Sequence, residues 1–288
     1  MSPSIETLIQ ESKSIGIVSH DAGGANLINS LIKNFPDISF NLFIDGPALG
    51  IFNATNTTVI KDEIIFLNKI DFLLLGTGAS TFEKEILLKA KIKNITTASI
   101  LDHFVNFKNR FIYKKKAVYP DYCFVSDEHA YKIAKKELYP YQEIYLCKSY
   151  YIESIKSIFK DNINIKSNTV LYILENIKED WGIHQPWEIA FDNFYANFFK
   201  GNKKVDKIIV RPHPKDDPEI YSKLNLYKEV TFDFDITPYD SLSKVFSVVG
   251  AESYFLYVAR EVGFDVHTSI PISIRKPRLP SSIYKTIA

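Results

Sequence analysis

The 288-residue sequence is short of the residues that staple small secreted folds, with two cysteines, one methionine, two tryptophans and 11 glycines. Two thiols, Cys123 and Cys147, cannot build a disulfide framework. Without a Cys-x-x-Cys pair or Cys/His ligand spacing they also exclude a zinc ribbon, and a reducing compartment is expected. Charge of one sign is missing too, since 35 Lys+Arg stand against 34 Asp+Glu for a net charge of +1. A general nucleic-acid binder carries a basic excess to neutralise phosphates, so that class is excluded, although a local basic cleft is not. No apolar run approaches the ~20 residues that span a bilayer. The opening residues (MSPSIE) have no basic stretch leading into an apolar one, so no export signal is expected and the chain reads as cytoplasmic.

What is present is a globular composition, 46% hydrophobic and 24% charged, with 17 Tyr and 21 Phe. The length predicts two domains of roughly 100–200 residues each. Apolar runs of strand length alternate with segments of helical period, the pattern of parallel α/β units. Strands are expected at 15–19, 40–44, 71–75, 95–101, 121–125 and 143–146, with helices at about 25–33 and 82–91. The pattern restarts with strands at 169–174, 207–210, 230–234 and 245–249. A long helix opened by Pro186 runs to about residue 200, and another follows Ser253 to about Val262. The polar stretch around 155–167 is the expected boundary. The divisions are therefore 1–160, 161–270 and a final segment, 271–288. Two such lobes place a ligand crevice between them, at the carboxyl ends of their strands.

Several strand ends carry chemistry. Arg211-Pro212-His213-Pro214 follows a buried-type strand. Its two prolines present the histidine on a rigid backbone, and Arg211 offers a planar cation suited to phosphate oxygens; the alternative is a rigid surface turn. In Gly250-Ala251-Glu252-Ser253 a strand gives way almost at once to a helix. Its free N–H groups and the Ser253 hydroxyl form a small anion site, unless Glu252 and Ser253 merely cap the first turn.

In the first half, His20-Asp21-Ala22-Gly23-Gly24 matches neither the dinucleotide fingerprint nor the P-loop. It still joins a carboxylate and an imidazole to glycines that permit close backbone approach, with Asp21 as a candidate general base and His20 its partner. Ser80, in a second glycine-rich loop, and Asp102-His103 end neighbouring strands. Asp102 is the rival base, and Asp21 is favoured narrowly. Gly23, Gly24, Ser80 and His103 are candidate substrate contacts.

Asp233-Phe234-Asp235 has the spacing of a metal-diphosphate motif, but it lacks further acidic residues nearby, and no metal is expected. Lys108, Arg110 and Lys114–Lys116, interleaved with Phe107, Phe111 and Tyr113, read either as a solvated loop or as a docking site for an anionic acceptor or membrane surface. Arg275, Lys276 and Arg278 are candidates to extend it.

The order of these motifs resembles GT-B glycosyltransferases. The pair formed by Arg211-Pro212-His213-Pro214 and Gly250-Ala251-Glu252-Ser253 is similar to the His-Pro and serine motifs of bacterial sialyltransferases. Related arrangements occur in Kdo and glycerol-phosphate capsule transferases. The resemblance implies that Arg211, His213, Pro214, Gly250, Glu252 and Ser253 hold the nucleotide of a CMP-linked donor. It also implies that an acidic residue of the first domain deprotonates the acceptor hydroxyl, and that the final segment, 271–288, crosses back to the first domain. The family's paired-acidic base motif is absent, which leaves the base open between Asp21 and Asp102.

The implied activity is an inverting transfer of a CMP-activated acid sugar (sialic, pseudaminic or legionaminic acid, or Kdo). It needs no metal or cofactor, and its acceptor is a glycan, lipid-linked or protein group at a bacterial surface. The alternatives are a UDP-sugar transferase or nucleotide-sugar epimerase of the same fold, and a two-lobed binding protein without catalysis.

Overall fold

The computed structural model describes residues 3–78, 80–159, 167–175, 185–213, 216–234 and 239–287. The chain divides into two compact units, residues 1–151 and 152–288. The division falls a few residues before the polar stretch expected to separate them, within a helix.

The first unit is built on β1 (Ile15–Ser19), β2 (Phe40–Ile44), β3 (Thr57–Val59), β4 (Phe72–Leu75) and β5 (Thr96–Leu101). A hairpin of β6 (Ile112–Tyr113) and β7 (Lys116–Ala117) precedes β8 (Tyr122–Val125) and β9 (Ile144–Leu146). Seven of these strands form one sheet in the order β3-β2-β1-β4-β5-β8-β9, parallel at every pairing. Its helices are α1 (Ile5–Glu11), α2 (Ala22–Ile32), α3 (Glu63–Lys69), α4 (Phe82–Ile92), α5 (Glu128–Leu138) and α6 (Tyr150–Phe159), the last running into the second unit. Burial on both faces explains why β1 and β4 read as unbroken apolar runs, since every residue of each is buried.

The second unit repeats the plan. After α7 (Pro186–Asn193), α8 (Tyr239–Leu242) and α9 (Tyr254–Glu261) are counted, its strands are β10 (Thr169–Ile173), β11 (Lys207–Arg211), β12 (Val230–Phe232), β13 (Ser247–Gly250), β14 (Asp265–Thr268) and β15 (Lys285–Thr286). They lie in the order β12-β11-β10-β13-β14-β15, again all parallel. Pro186 opens α7 as expected. The helix widens into a π-turn over Phe194–Phe199, where the Lys200 N–H bonds the Tyr195 carbonyl at 3.0 Å. That turn sets Phe194 and Phe199 on one buried face with Phe191 and Trp187.

Two expectations need correcting. The final segment, expected to return to the first domain, ends as β15 of the second sheet. It is held there in part by Arg275 and Arg278, which both bind the Glu252 carboxylate. Helix α2 begins at Ala22 rather than near Ala25, so Gly23 and Gly24 form its first turn.

In both sheets the strand order reverses beside the first strand, between β1 and β4 and between β10 and β13. Loops diverge at such switch points and leave room for a ligand. The described candidate residues for catalysis and for substrate and donor binding lie at one of these two places or at the end of the adjoining strand.

Candidate functional site

In the first unit, Ser19 of β1 is level with the loop after β4, and the Asp102 loop follows on the next strand, β5. This register gathers His20, Asp21, Gly76–Gly78, Ser80, Asp102 and His103 at one sheet edge. Asp21 occupies the N-cap position of α2, yet its side chain makes no cap hydrogen bond. Its Oδ1 instead pairs with His20 Nδ1 at 2.7 Å. An N-cap Asp normally accepts an orphan helix N–H; here the carboxylate orients an imidazole. With Nδ1–H donated to Asp21, the other ring nitrogen, Nε2, presents a lone pair able to take a proton.

The loops around this pair fit closely. A Cβ on Gly78 would meet Asp21 Oδ2 at 2.5 Å, and one on Gly46, which has φ +58°, would meet His20 Nε2 at 2.6 Å. Phe82 stacks on Phe43 at 5.2 Å and stands 6.1 Å from the His20 ring, forming an aromatic wall.

Asp102, the rival base, is committed differently. Its Oδ1 forms an ion pair with Arg110, whose Nη1 also donates to the Thr77 carbonyl and to Thr77 Oγ1. Asp102 Oδ2 lies against the first turn of α2, where a Cβ on Gly23 would sit 1.9 Å away; Gly24 packs on Gly76, whose Cα would be 2.8 Å from a Cβ there. The closeness that the two glycines permit is thus used by the protein's own Asp102 and Gly76. Asp102 is thus engaged by a guanidinium, whereas Asp21 is engaged by an imidazole. His103 Nδ1 accepts the Phe104 N–H at 2.8 Å, which leaves its Nε2 as the protonated nitrogen of the neutral ring.

Two residues absent from the sequence-level candidates enter this site. Arg110 was grouped with the basic cluster, and Glu83 read as an ordinary α4 position. Glu83 is only 3% exposed. Its Oε1 accepts the His20 N–H at 2.9 Å and its Oε2 accepts the Ser80 hydroxyl at 2.9 Å. The one hint in the sequence was Ser80-x-x-Glu83, the spacing of a capping box at a helix start.

In the second unit, Ile173 of β10 is level with Arg211 on one side and Gly250 on the other. At the usual strand spacing, Arg211 and Gly250 lie ~10 Å apart at the same sheet edge. Arg211 Nη1 bonds Asp233 Oδ2 at 3.0 Å, and Ser241 Oγ donates to the same oxygen. Asp233 is therefore an orienting partner of Arg211. Asp235 and Pro214 lie outside the described residues. Among the described residues no cluster of three or more His, Cys, Asp or Glu is placed to hold a metal ion. His213 is half-buried, and its carbonyl accepts the Asp216 N–H at 3.0 Å.

Both carboxylates at the second switch point are engaged. Glu252, 2% exposed, is bound by Arg275 Nη2 at 2.6 Å and by the Arg278 N–H and Nε at 2.9 and 2.8 Å. Ser253 caps α9, accepting the Phe255 N–H at 3.2 Å. The free helix-start donors inferred from sequence are occupied from within: Glu175 Oε1 accepts the Glu252 and Ser253 N–H groups at 2.6 and 2.7 Å. Glu175 is partly exposed as a residue, but its carboxyl is enclosed, and burial pushes it up to about 8.

The basic–aromatic cluster separates into two parts. Phe107, Phe111 and Tyr113 are buried, so they offer no apolar surface, and Arg275 and Arg278 belong to the Glu252 clamp. Lys114, Lys115 and Lys116 remain exposed at the β6–β7 hairpin, with Lys114 and Lys115 at φ 47° and 66°.

No protein-family model and no curated protein sequence matches this chain. Solved structures do. S. aureus MnaA, in a co-structure with UDP, is similar with a TM-score of 0.66 at 12% identity over 89% of this chain and 78% of that one. UDP-GlcNAc 2-epimerase from Neisseria meningitidis, bound to UDP-GlcNAc, has a TM-score of 0.62 at 12% identity, covering 89% and 82%. An α/β-galactoside α-2,3-sialyltransferase from Photobacterium phosphoreum has a TM-score of 0.51 at 11% identity, covering 96% and 98%. The fold is therefore GT-B-like, with two parallel α/β units.

Proposed function

We propose that the protein is a nucleotide-sugar enzyme, and specifically a metal-independent inverting glycosyltransferase in which His20 and Asp21 supply the base. The observation that carries this reading is the Asp21 carboxylate, which forgoes its cap and holds His20 Nδ1 at 2.7 Å. A helix-start aspartate doing only structural work would accept an N–H of its own helix. The acceptor hydroxyl attacks the anomeric carbon of the donor, and its proton passes to His20 Nε2 or directly to Asp21. Meanwhile the bond from the sugar to the nucleotide phosphate breaks, and the leaving phosphate takes the electron pair. Arg211, oriented by Asp233, together with His213, offers positive character to that phosphate.

A CMP-activated acid sugar suits this arrangement, because its single phosphate needs less charge compensation than a diphosphate. The exposed Lys114–Lys116 hairpin supports peripheral contact with an anionic membrane face, where a lipid-linked acceptor would be met.

A second reading is a UDP-sugar 2-epimerase. It is favoured by the higher TM-scores to proteins described as UDP-GlcNAc 2-epimerases. Its chemistry would use the same carboxylate–imidazole pair to remove and return a proton on the sugar ring.

The test is thermal stabilisation of the protein by CMP, CDP, UDP and GDP, followed by turnover of the sugar nucleotide carrying whichever one binds. Preference for CMP with transfer to an acceptor supports the first reading; preference for UDP with inversion of configuration at a ring carbon and no acceptor supports the second. Stabilisation by none of the four removes both.

A further inference from the structure

We infer that Glu83 is a positioning residue for the His20–Asp21 pair, acting through both of its carboxylate oxygens. The inference rests on the reading of that pair as the base. Oε1 accepts the His20 backbone N–H at 2.9 Å, and so fixes the Ser19–His20 peptide that leads into the His20–Asp21 pair. Oε2 accepts the Ser80 hydroxyl at 2.9 Å, while Ser80 Oγ accepts the Phe82 N–H at 3.2 Å.

Ser80 belongs to the loop that closes over Asp21, the loop in which a Cβ at Gly78 would lie 2.5 Å from Asp21 Oδ2. One buried carboxylate therefore ties down the turn that carries the base and the loop that covers it. In this arrangement the Asp21 side chain is turned toward the imidazole and makes no cap bond to its own helix. Lys84 and Arg110 line the same hollow as Glu83 and keep a carboxylate acceptable in an enclosed place.

Two substitutions separate geometry from charge. In Glu83→Gln the amide oxygen still accepts the His20 N–H. The amide nitrogen can donate to Ser80 Oγ, which has a second lone pair beside the one used by Phe82. Glu83→Ala removes both arms, and Ser80→Ala removes one, should the first variant fold poorly.

The readout needs no substrate: two-bond ¹H–¹⁵N correlation of the histidine rings at pH 9, above the ordinary range of imidazole. The wild-type protein is expected to hold His20 with its proton on Nδ1. Glu83→Gln should retain that form, Glu83→Ala should shift most of the population to Nε2–H, and Ser80→Ala should shift part of it. On an identified sugar nucleotide, Glu83→Ala should lose at least tenfold in kcat with KM for the donor unchanged, and Glu83→Gln should recover most of the rate.

An unchanged tautomer in Glu83→Ala overturns the inference, as does a wild-type ring protonated on Nε2. Loss in Glu83→Gln equal to that in Glu83→Ala would mean that the charge acts and the geometry does not. Because the tautomer is read in the free protein, a failure of the proposed activity leaves this result intact.

Discussion

Replacing Glu175 by glutamine isolates the carboxyl seated on the α9 start. Its ordinary value of 4.5 is pushed up to about 8, chiefly by burial; the N–H donors of Glu252 and Ser253 oppose the rise and the Glu252 carboxylate adds to it. The sign follows directly. Below pH 4.5 the folded and unfolded chains both hold the proton, and the contribution to stability is complete. Between 4.5 and 8 the unfolded chain releases the proton while the folded chain keeps it, so stability falls as pH rises, and above 8 the contribution is gone.

At about 1.4 kcal/mol per pH unit, this window is worth on the order of 5 kcal/mol. Glu175→Gln does not titrate and keeps an oxygen for the two N–H donors. Urea unfolding at pH 5, 6, 7 and 8 should therefore show the variant gaining steadily on the wild type. By pH 8 its midpoint should be higher by about 2–5 M, given a slope of ~1–3 kcal/mol/M. Parallel pH dependence of the two proteins would refute the placement of a raised carboxyl at this helix start.

Asp102→Asn breaks the ion pair with Arg110 and leaves an enclosed guanidinium uncompensated, so it should cost about 3 kcal/mol in denaturant unfolding; a neutral effect would mean the pair is solvated. His213→Ala should weaken nucleotide binding about tenfold, ~1.4 kcal/mol by calorimetry, with Tm nearly unchanged. Unchanged affinity with a large loss of Tm would assign that loop to structure alone. Replacing Lys114, Lys115 and Lys116 together by serine should lower partitioning onto phosphatidylglycerol vesicles by about 10²-fold, at about 1 kcal/mol per lysine, and leave phosphatidylcholine unaffected. Equal partitioning would exclude the hairpin as the contact.

The parallel α/β plan was legible because buried strands leave unbroken apolar runs: IGIVS of β1, FLLL of β4 and TVLYI of β10 are all found where those runs lie. Of the four edge strands, β9 and β12 were legible and β3 and β15 were not. β3 has one half-buried and two exposed residues, and β15 two exposed ones, so neither leaves a hydrophobic signal. His20, Asp21 and Asp102 were recognisable from their positions after strands. What distinguishes the two aspartates is the partner each side chain takes in the fold: Asp21 turns to its chain neighbour, while Asp102 meets an arginine eight residues on.

Glu83 and Glu175 escaped notice for the same reason. A glutamate in a helix or after a strand reads as solvated surface, and only the tertiary fold reveals N–H groups aimed at it from loops 63 and 77 residues away. The glycine pair was recognised but its use was not, because sequence carries no record of which group fills the space beside a missing Cβ.

The most direct test of the central claim compares binding and turnover in Asp21→Asn. Release of nucleotide from a panel of CMP- and UDP-sugars, with and without glycan acceptors, would be followed alongside calorimetric binding of the same compounds. The account predicts that the wild-type protein binds and turns over members of one nucleotide class. Asp21→Asn should retain that affinity and lose about 10²–10⁴-fold in rate, the usual cost of a general base. Near-normal turnover in Asp21→Asn, or a wild-type protein that binds none of the panel, would contradict it.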